Sequence, residues 1–393
     1  MPGSETDFFH ATSYIEWVQA LVGSMAERPH AIGLFDASMA EPSAALGTLV
    51  SDVIAAPGRP RLRSVMDSGN PLVIDALASR YQVPREQILC TTGALSGAAL
   101  VMKAYLQPGD HILIERPHLD TLVQIAQRLG AEVSYFDRQG EDAAIDPEQV
   151  RNLLRANTRL VLITNLHNPT GAFLGDDALL DLAAALEGHP TRILVDEVYA
   201  DFAHQSGHGT PACRLSDAFI SVNSLAKVYG LSALKCGWIV GDVAAIARIA
   251  PVHMVSEFGI SKLTHAAASV VLEDPSALNA YAAGVLAYAR PVLQIWAEAM
   301  QTEGLIDGAL PAHGCLYFPR LIGVGDTRPI CARLWREHGV ALAPGELFQR
   351  PGHVRIGFGR APAQLESGLA GLEQTLRAVR DTTLPPRTER AAR

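Results

Sequence analysis

The chain has 393 residues, of which 48% are hydrophobic and 19% charged, a balance typical of globular proteins. Its net charge of −9 offers no basic field to nucleic acid or anionic membranes, so we expect neither as a partner. The five cysteines form no Cys-x-x-Cys pair, and no leader or run of about 18 apolar residues is visible, which predicts a cytoplasmic protein with free thiols and no metal site.

Strand-like and helix-like segments alternate through the middle of the chain. Short apolar runs predict strands at 111–115, 131–136, 159–164, 192–197, 218–224 and 237–241. Helical segments between them, such as 120–130 and 177–188, each end at a glycine that suits a helix C-terminus. This alternation predicts an α/β fold, a mostly parallel sheet flanked by helices, with ligands bound beyond the carboxyl ends of the strands.

The pattern turns helical from about Pro275. A long helix is expected there, kinked or restarted at Pro291, followed by short strands around 314–321 and 353–359 and a helix at 362–380. We therefore predict a large domain over 45–290 and a smaller α+β domain formed by 1–44 and 291–393. Residues 382–393 are expected to be a disordered tail.

Two loops could contact a ligand. The segment "TTGALSGAAL" (91–100) opens a helix whose first N–H groups favour an anion such as phosphate, although small residues there also serve close packing. The segment "NLHNPTG" (165–171) forms a turn. Asn168 either caps this turn or points at a ligand above the sheet.

Two further segments carry ionisable side chains. In "VDEVYADF" a strand ends at Asp196, and Tyr199 follows three residues later. A buried acid is costly without a positive partner, which could be an arginine or a ligand. In "NSLAKVYGLSALKCGW", Lys227 can lose its proton and attack a carbonyl, as an arginine cannot. Amine, acid and anion pocket together describe a pyridoxal phosphate site.

These motifs resemble a known family. The order and wording of "GALSGA", "HNPTG", "DEVYADF", "SLAKVYGLSALKCGW" and "VRIGFG" are similar to the class I/II aminotransferases of the aspartate aminotransferase superfamily, from about Glu41 to Gly359. The resemblance implies fold type I, the cofactor pyridoxal 5′-phosphate, a homodimer, and transfer of an amino group from an L-amino acid to a 2-oxo acid. It also implies that Lys227 forms the Schiff base and moves the substrate proton.

The resemblance assigns roles position by position. Asp196 would hold the pyridine nitrogen, Asn168 and Tyr199 the ring 3′-oxygen, and Arg355 the substrate carboxylate, which its planar fork matches. The N–H groups of 94 and 95 and the hydroxyl of 224 would hold the phosphate. The predicted catalytic residues are Lys227, Asp196 and Tyr199; the cofactor-binding residues are Ala94, Leu95, Ser96, His118, Leu119, Asn168, Asp196, Tyr199, Ser224, Lys227 and Lys235; the substrate-binding residues are Arg355, Asn168, Met39 and Ala40.

Three positions depart from the family pattern. Leu119, with His118 beside it, stands where an aromatic ring usually stacks on the cofactor. Lys235 replaces an arginine at the phosphate, and Ser64 stands where a tyrosine reaches the neighbouring subunit's phosphate. A lyase, cyclase or oxidase that shares the same carbanion chemistry therefore stays open beside transamination. A regulator fused to a DNA-binding module is disfavoured by the acidic charge and by the lack of an upstream helix-turn-helix segment.

Overall fold

The computed structural model of the chain describes residues 7–63, 68–140, 142–257 and 260–383. Helices occur along the whole of this part. They are α1 (Tyr14–Ala26), α2 (Ser43–Ala55), α3 (Pro71–Tyr81), α4 (Ala94–Tyr105), α5 (Asp120–Arg128), α6 (Pro147–Leu153), α7 (Asp176–Ala185), α8 (Asp201–His204), α9 (Ala212–Leu215), α10 (Val243–Ser256), α11 (Lys262–Glu273), α12 (Ser276–Thr302), α13 (Arg328–His338) and α14 (Pro362–Thr383).

The strands are mostly short outside the middle of the chain. They are β1 (Ile32–Gly33), β2 (Ile88–Thr91), β3 (His111–Arg116), β4 (Glu132–Asp137), β5 (Thr158–Thr164), β6 (Arg192–Asp196), β7 (Phe219–Ser224), β8 (Gly237–Val240), β9 (Ile306–Asp307), β10 (Leu316–Tyr317), β11 (Arg320–Leu321), β12 (Val340–Ala341), β13 (Ala343–Pro344) and β14 (Val354–Gly357).

Seven strands form the central sheet in the order β2-β8-β7-β6-β5-β3-β4. Strand β8 is antiparallel to both of its neighbours, and the other strands share one direction. The predicted α/β fold and its six predicted strands are therefore confirmed. Strand β2 was not predicted, because a run of four buried residues shows too few periods to be distinguished from a buried helix segment.

Helices cover both faces of this sheet. Alternate residues of β5 enter two separate cores: Leu160 and Leu162 join one with α4, and Val161 and Ile163 join the other with α7. This alternation is the period of a strand whose two faces are both buried. The carboxyl ends of β2, β3, β5, β6 and β7 consequently meet at one edge, where a ligand can reach them.

A third core lies outside the sheet. Its largest members include Trp17 of α1, Trp335 of α13 and Phe348. Because this core draws its residues from 9–35 and 289–376, we propose the same division into 45–290 and 1–44 with 291–393. Of the predicted tail, 382 and 383 belong to α14, and 384–393 lie outside the described residues.

Helix α12 connects the sheet region to the third core. Ala282 packs in the core that contains α4, whereas Leu293 packs in the third core. The helix continues through Pro291, so of the two expected alternatives the restart was wrong, and the kink stays a prediction. Loss of one backbone hydrogen bond at a proline is offset here by burial of the flanking Ala289 and Leu293.

The N-terminal segment reaches the carboxyl edge of the sheet after α1. Strand β1 pairs in parallel with β12, and the Leu34 carbonyl accepts the Gly357 N–H at 2.6 Å. A Cβ at Gly357 would lie 2.0 Å from the Asp36 carbonyl oxygen, so only glycine lets β14 pass this close to the segment. In the described part of the chain, none of the helices has the length and apolar character needed to cross a bilayer.

Candidate active site

A cavity of about 500 Å³ opens at the carboxyl edge of the sheet. Its walls come from the loops that follow five parallel strands, from α1, from residues 35–37 and from β14. The predicted site residues that line it are Ala94, Leu95, Leu119, Asn168, Asp196, Tyr199, Ser224, Lys227, Lys235 and Arg355. The fold therefore brings ten residues, spread over 262 positions from 94 to 355, to one cavity.

One end of the cavity is suited to an anion. Helix α4 begins there at Ala94, directly after Gly93, whose φ of +86° favours glycine. A Cβ at Gly237 would lie 2.7 Å from the Ala94 nitrogen, so a glycine at the start of β8 lets the helix start pack against the sheet. The free N–H groups of a helix start, with the Ser224 hydroxyl and the Lys235 amine on the same cavity, can hold a phosphate.

An acid that the sequence did not reveal lies beside this anion end. The Glu257 carboxylate accepts hydrogen bonds from the Thr92 N–H at 3.2 Å and from the hydroxyls of Thr92 and Ser96. Neither Ser96 nor Glu257 lines the cavity. Ser96, predicted to bind the cofactor, therefore donates to Glu257 in this structure. The carboxylate is itself favoured near the start of α4, and it adds negative charge close to the phosphate end.

Leu119 and His118 face different surroundings. Leu119 lines the cavity, whereas His118 is buried and stacks on Tyr135, with ring centroids 5.2 Å apart and an interplanar angle of 7°. Burial lowers the pKa of His118 to about 4, so the imidazole is neutral at pH 7. The described walls thus offer an aliphatic side chain, rather than the His118 ring, for contact with a flat ligand.

Arg355 brings a buried positive charge to the cavity. It is 1% exposed, and its guanidinium donates to Asn168 Oδ1 at 2.9 Å, Tyr14 Oη at 2.9 Å and the Phe35 carbonyl at 2.8 Å. These acceptors are all neutral, and Nε has no partner among the described residues. A buried cation without a counter-charge is costly, which favours an anionic ligand at this place.

Asp196 lies on the cavity wall at the end of β6. Burial raises its pKa to about 6, and the Val198 N–H at 3.2 Å and the charge of Lys227 oppose this shift. At pH 7 the carboxylate is mostly ionised, and a cationic ligand would lower its pKa again. Asp196 is therefore available to bind a positive group, because none of its bonds among the described residues is to a cation.

Tyr199 and Lys227 complete the same wall. The Nζ of Lys227 lies 6.0 Å from the centroid of the Tyr199 ring. The Tyr199 hydroxyl is buried and has no hydrogen-bond partner among the described residues, and burial raises its pKa well above the usual value. A neutral phenol with an unused donor beside a cavity indicates that an acceptor on a ligand is missing.

The residues present fit pyridoxal phosphate. The orphaned Tyr199 hydroxyl suits the oxygen of the ring, and the Asp196 carboxylate suits its nitrogen. The helix start at Ala94 suits the phosphate, and Lys227 supplies the amine.

Two predicted substrate contacts do not line the cavity. Met39 is 1% exposed and its N–H donates to the Lys227 carbonyl at 3.0 Å, while the Ala40 N–H donates to the Gly359 carbonyl at 2.8 Å. Residues 35–37, just before them, form that wall instead. Ser64 lies outside the described residues, so the neighbouring-subunit contact stays a prediction.

Tyr14 is the main cavity residue that the sequence did not reveal. Its ring and the start of α1 cover Arg355, and its N–H donates to Asp120 Oδ2 at 2.9 Å. The only local signal is the Ser-x-x-Glu pattern of Ser13 and Glu16, which predicts where a helix starts. No local pattern indicates that this helix packs beside a residue 341 positions away.

Comparisons with known proteins agree with this geometry. The family described as aminotransferase class I and II matches residues 49–372. A capreomycidine synthase from Streptomyces vinaceus is 29% identical over 77% of this chain and 77% of its own, and an arginine–pyruvate transaminase from Pseudomonas aeruginosa is 27% identical over 71% and 72%. The crystal structure of a PLP-dependent aminotransferase from Streptococcus suis superposes with a TM-score of 0.81 at 26% identity, covering 91% of this chain and 97% of that one.

Proposed function

We propose that this chain, which belongs to the class I and II aminotransferase family, moves the amino group of an L-amino acid to a 2-oxo acid. Its cofactor is pyridoxal 5′-phosphate. The observation that carries the proposal is the charge of Arg355, which has no counter-charge among the described residues and lies on the same cavity as Lys227 and Asp196. Both proposed substrates carry a carboxylate, which is the anion that this buried guanidinium lacks.

Arg355 and Lys227 have different roles in the proposed reaction. Arg355 would bind the α-carboxylate and so present the substrate Cα to the cavity wall that bears Lys227. Lys227 Nζ would take the proton from Cα as a base and later give that proton up as an acid, because a flexible amine can do both. When bound, pyridoxal phosphate supplies an aldehyde and a ring that withdraws electrons.

Asn168 links the substrate side of the cavity to the cofactor side. Because arginine has only donors, the atom that meets Arg355 must be the amide oxygen, which leaves the Asn168 NH₂ group to donate to the ring oxygen. Tyr199 would donate to the same oxygen, and Asp196 would hold the ring nitrogen in its protonated form. These three residues thus orient the ring and keep it electron-poor.

Replacing Arg355 by lysine is expected to lower kcat/KM for amino acid substrates by roughly 10- to 100-fold, mainly by raising KM. The charge is kept, but the fork that can bind a carboxylate with two parallel bonds is lost. Steady-state kinetics would measure the effect, with Arg350→Lys as the control, because Arg350 is an exposed arginine five residues before Arg355. An unchanged KM would contradict the assignment of Arg355 to the substrate carboxylate.

Isotope transfer tests the reaction type. The purified protein with added cofactor is incubated with ¹⁵N-labelled L-amino acids and an unlabelled 2-oxo acid, and the products are analysed by mass spectrometry. Transamination predicts ¹⁵N in a new amino acid and one equivalent of oxo acid from the donor. Release of labelled ammonia, or a product that keeps the nitrogen and has lost another group, would contradict transamination.

A lyase, cyclase or oxidase that acts on an amino acid at the same site is the second candidate. It is supported by the 29% identity to a protein named as a synthase rather than as an aminotransferase, and by Leu119 on the cavity wall, where the family resemblance implies an aromatic ring. The outcomes that contradict transamination above are the ones expected of this second candidate.

We also propose that the protein is a homodimer. Met254 and Val255 of α10 are 63% and 80% exposed, although both are apolar, and they lie three and two residues, respectively, from Glu257 beside the anion end. Exposed apolar side chains in one helical turn favour a covering surface. A cytoplasmic location stays a prediction that rests on the separated cysteines.

A further inference from the structure

A buried ion pair lies next to the cavity without lining it. The Arg138 Nε, just after β4, donates to Glu115 Oε2 of β3 at 2.7 Å, and the two side chains are 0% and 1% exposed. Removing two charges from water is costly before their attraction is counted, and apolar residues of similar volume are often at least as stabilising. Stability of the sheet alone therefore does not explain this pair.

The pair engages every polar group of one cavity residue. Glu115 Oε1 accepts the N–H of Thr164 at 2.6 Å and its hydroxyl at 2.7 Å, and Arg138 Nη2 donates to the Thr164 carbonyl at 2.8 Å. Thr164 ends β5 and lines the cavity. Its backbone and side chain are thus fixed in position and rotamer by two charged groups.

Thr164 passes this constraint to the site residues. Its Oγ1 accepts the Asn168 N–H at 3.2 Å, and Asn168 Oδ1 accepts from Arg355 at 2.9 Å. Thr164 is also the register partner of Asp196, and the next N–H, of Asn165, donates to the Asp196 carbonyl at 2.9 Å. One buried pair is therefore connected to three residues that bind cofactor or substrate.

We propose that Glu115 is a positioning residue for this site. Paired with Arg138, it fixes Thr164, and Thr164 in turn holds Asn168 where its amide can serve Arg355 and the cofactor ring together. The predicted effect on substrate binding, through Arg355, rests on the proposed function, whereas the predicted effect on the cofactor ring requires only that the cofactor binds. If Glu115 has a purely structural role, replacing it should lower stability and change neither substrate binding nor the environment of the cofactor ring.

The test compares Glu115→Gln with a matched control. Glutamine still offers an oxygen to Thr164 but leaves Arg138 without its counter-charge. The control is His111→Asn at the other end of the same strand, where the buried His111 bonds Thr158 at 2.7 Å. Both variants are expected to lower Tm, whereas only Glu115→Gln should lower kcat/KM, by roughly 10- to 100-fold, since small misplacements in a site cost about this much.

A second readout does not require turnover. The cofactor-loaded protein is titrated with acid and base while its absorbance is followed. A donor on the ring oxygen stabilises negative charge there, so misplacing the Asn168 amide should raise the pH at which the absorbance change is half complete, the pH midpoint. We expect this increase in Glu115→Gln and no change in His111→Asn. A midpoint equal to wild type in both variants overturns the proposal.

Two substitutions of Thr164 keep the test decisive if Glu115→Gln does not fold. Thr164→Ser keeps the hydroxyl that joins Glu115 to Asn168 and should keep the wild-type pH midpoint, while Thr164→Val removes the hydroxyl and should raise the midpoint. Equal midpoints for the two overturn the proposal. A shifted midpoint in a protein that transfers no amino group would retain the positioning role and refute the proposed reaction.

Discussion

Replacing Lys227 by alanine is expected to abolish amino-group transfer, with a loss of at least roughly 10⁴-fold in kcat. The proton-transfer role alone accounts for about 10²–10⁴-fold, and the same side chain is the only cavity amine beside Tyr199 in the described walls. Lys103→Ala, on the exposed face of α4, is the control and should keep wild-type activity.

Labelling separates the role of Lys227 from general damage to the fold. Borohydride reduction in the presence of cofactor, followed by peptide mapping, should place the label on the peptide that contains Lys227. Lys227→Ala should remain unlabelled, with a Tm close to that of wild type, because among the described residues the Lys227 side chain forms no ion pair that its removal would break; its contact there is with the Tyr199 ring. A label on Lys235, the other cavity lysine, would refute the assignment.

The sheet and its cavity edge could be predicted because both follow from local patterns. Runs such as 159–164 and 192–197 alternate with helical segments, and a parallel sheet then brings the residues after each strand to one edge. Asp196 ends β6, and Lys227 lies three residues after the end of the neighbouring β7, so their proximity follows from topology. The family resemblance added Arg355, which no local pattern connects to that edge.

The residues that escaped prediction are those whose role depends on contacts between distant segments. Nothing in the local sequence distinguishes Glu115 of β3 or Arg138, just after β4, and only the register of β3, β4 and β5 shows that both contact Thr164. Tyr14 depends on how α1 packs on the third core. The different surroundings of His118 and Leu119 depend on which side chain stacks on Tyr135. Pairings of this kind are set by packing, which spacing along one chain does not encode.

Asp196→Asn is the second large effect that we expect, a loss of roughly 100- to 1,000-fold in kcat. An amide cannot balance a positive ring nitrogen, so the electron-withdrawing form of the cofactor is no longer favoured. The matched control is Glu197→Gln, because Glu197 is also buried and burial raises its pKa to about 7, yet it does not line the cavity. Comparable losses of kcat in both variants would contradict a specific role for Asp196.

The raised pKa of Asp196 also predicts how the stability of the protein depends on pH, which can be measured without catalysis. Because burial raises the folded-state pKa to about 6 from 3.8, the cofactor-free protein carries a stabilising contribution that is complete below about pH 4 and is lost as pH rises through 6. Asparagine does not ionise, so Asp196→Asn does not lose this contribution. In the absence of cofactor, the free energies of unfolding of variant and wild type should therefore diverge as pH rises, and the variant should be the more stable by up to about 3 kcal/mol at pH 8. Bound cofactor should reverse the order, since its cationic nitrogen then stabilises the ionised Asp196 and not the amide. Urea unfolding of both proteins at pH 5 and pH 8, with and without cofactor, measures these differences in stability. If the cofactor did not change which of the two proteins is the more stable, Asp196 would not bind the ring nitrogen.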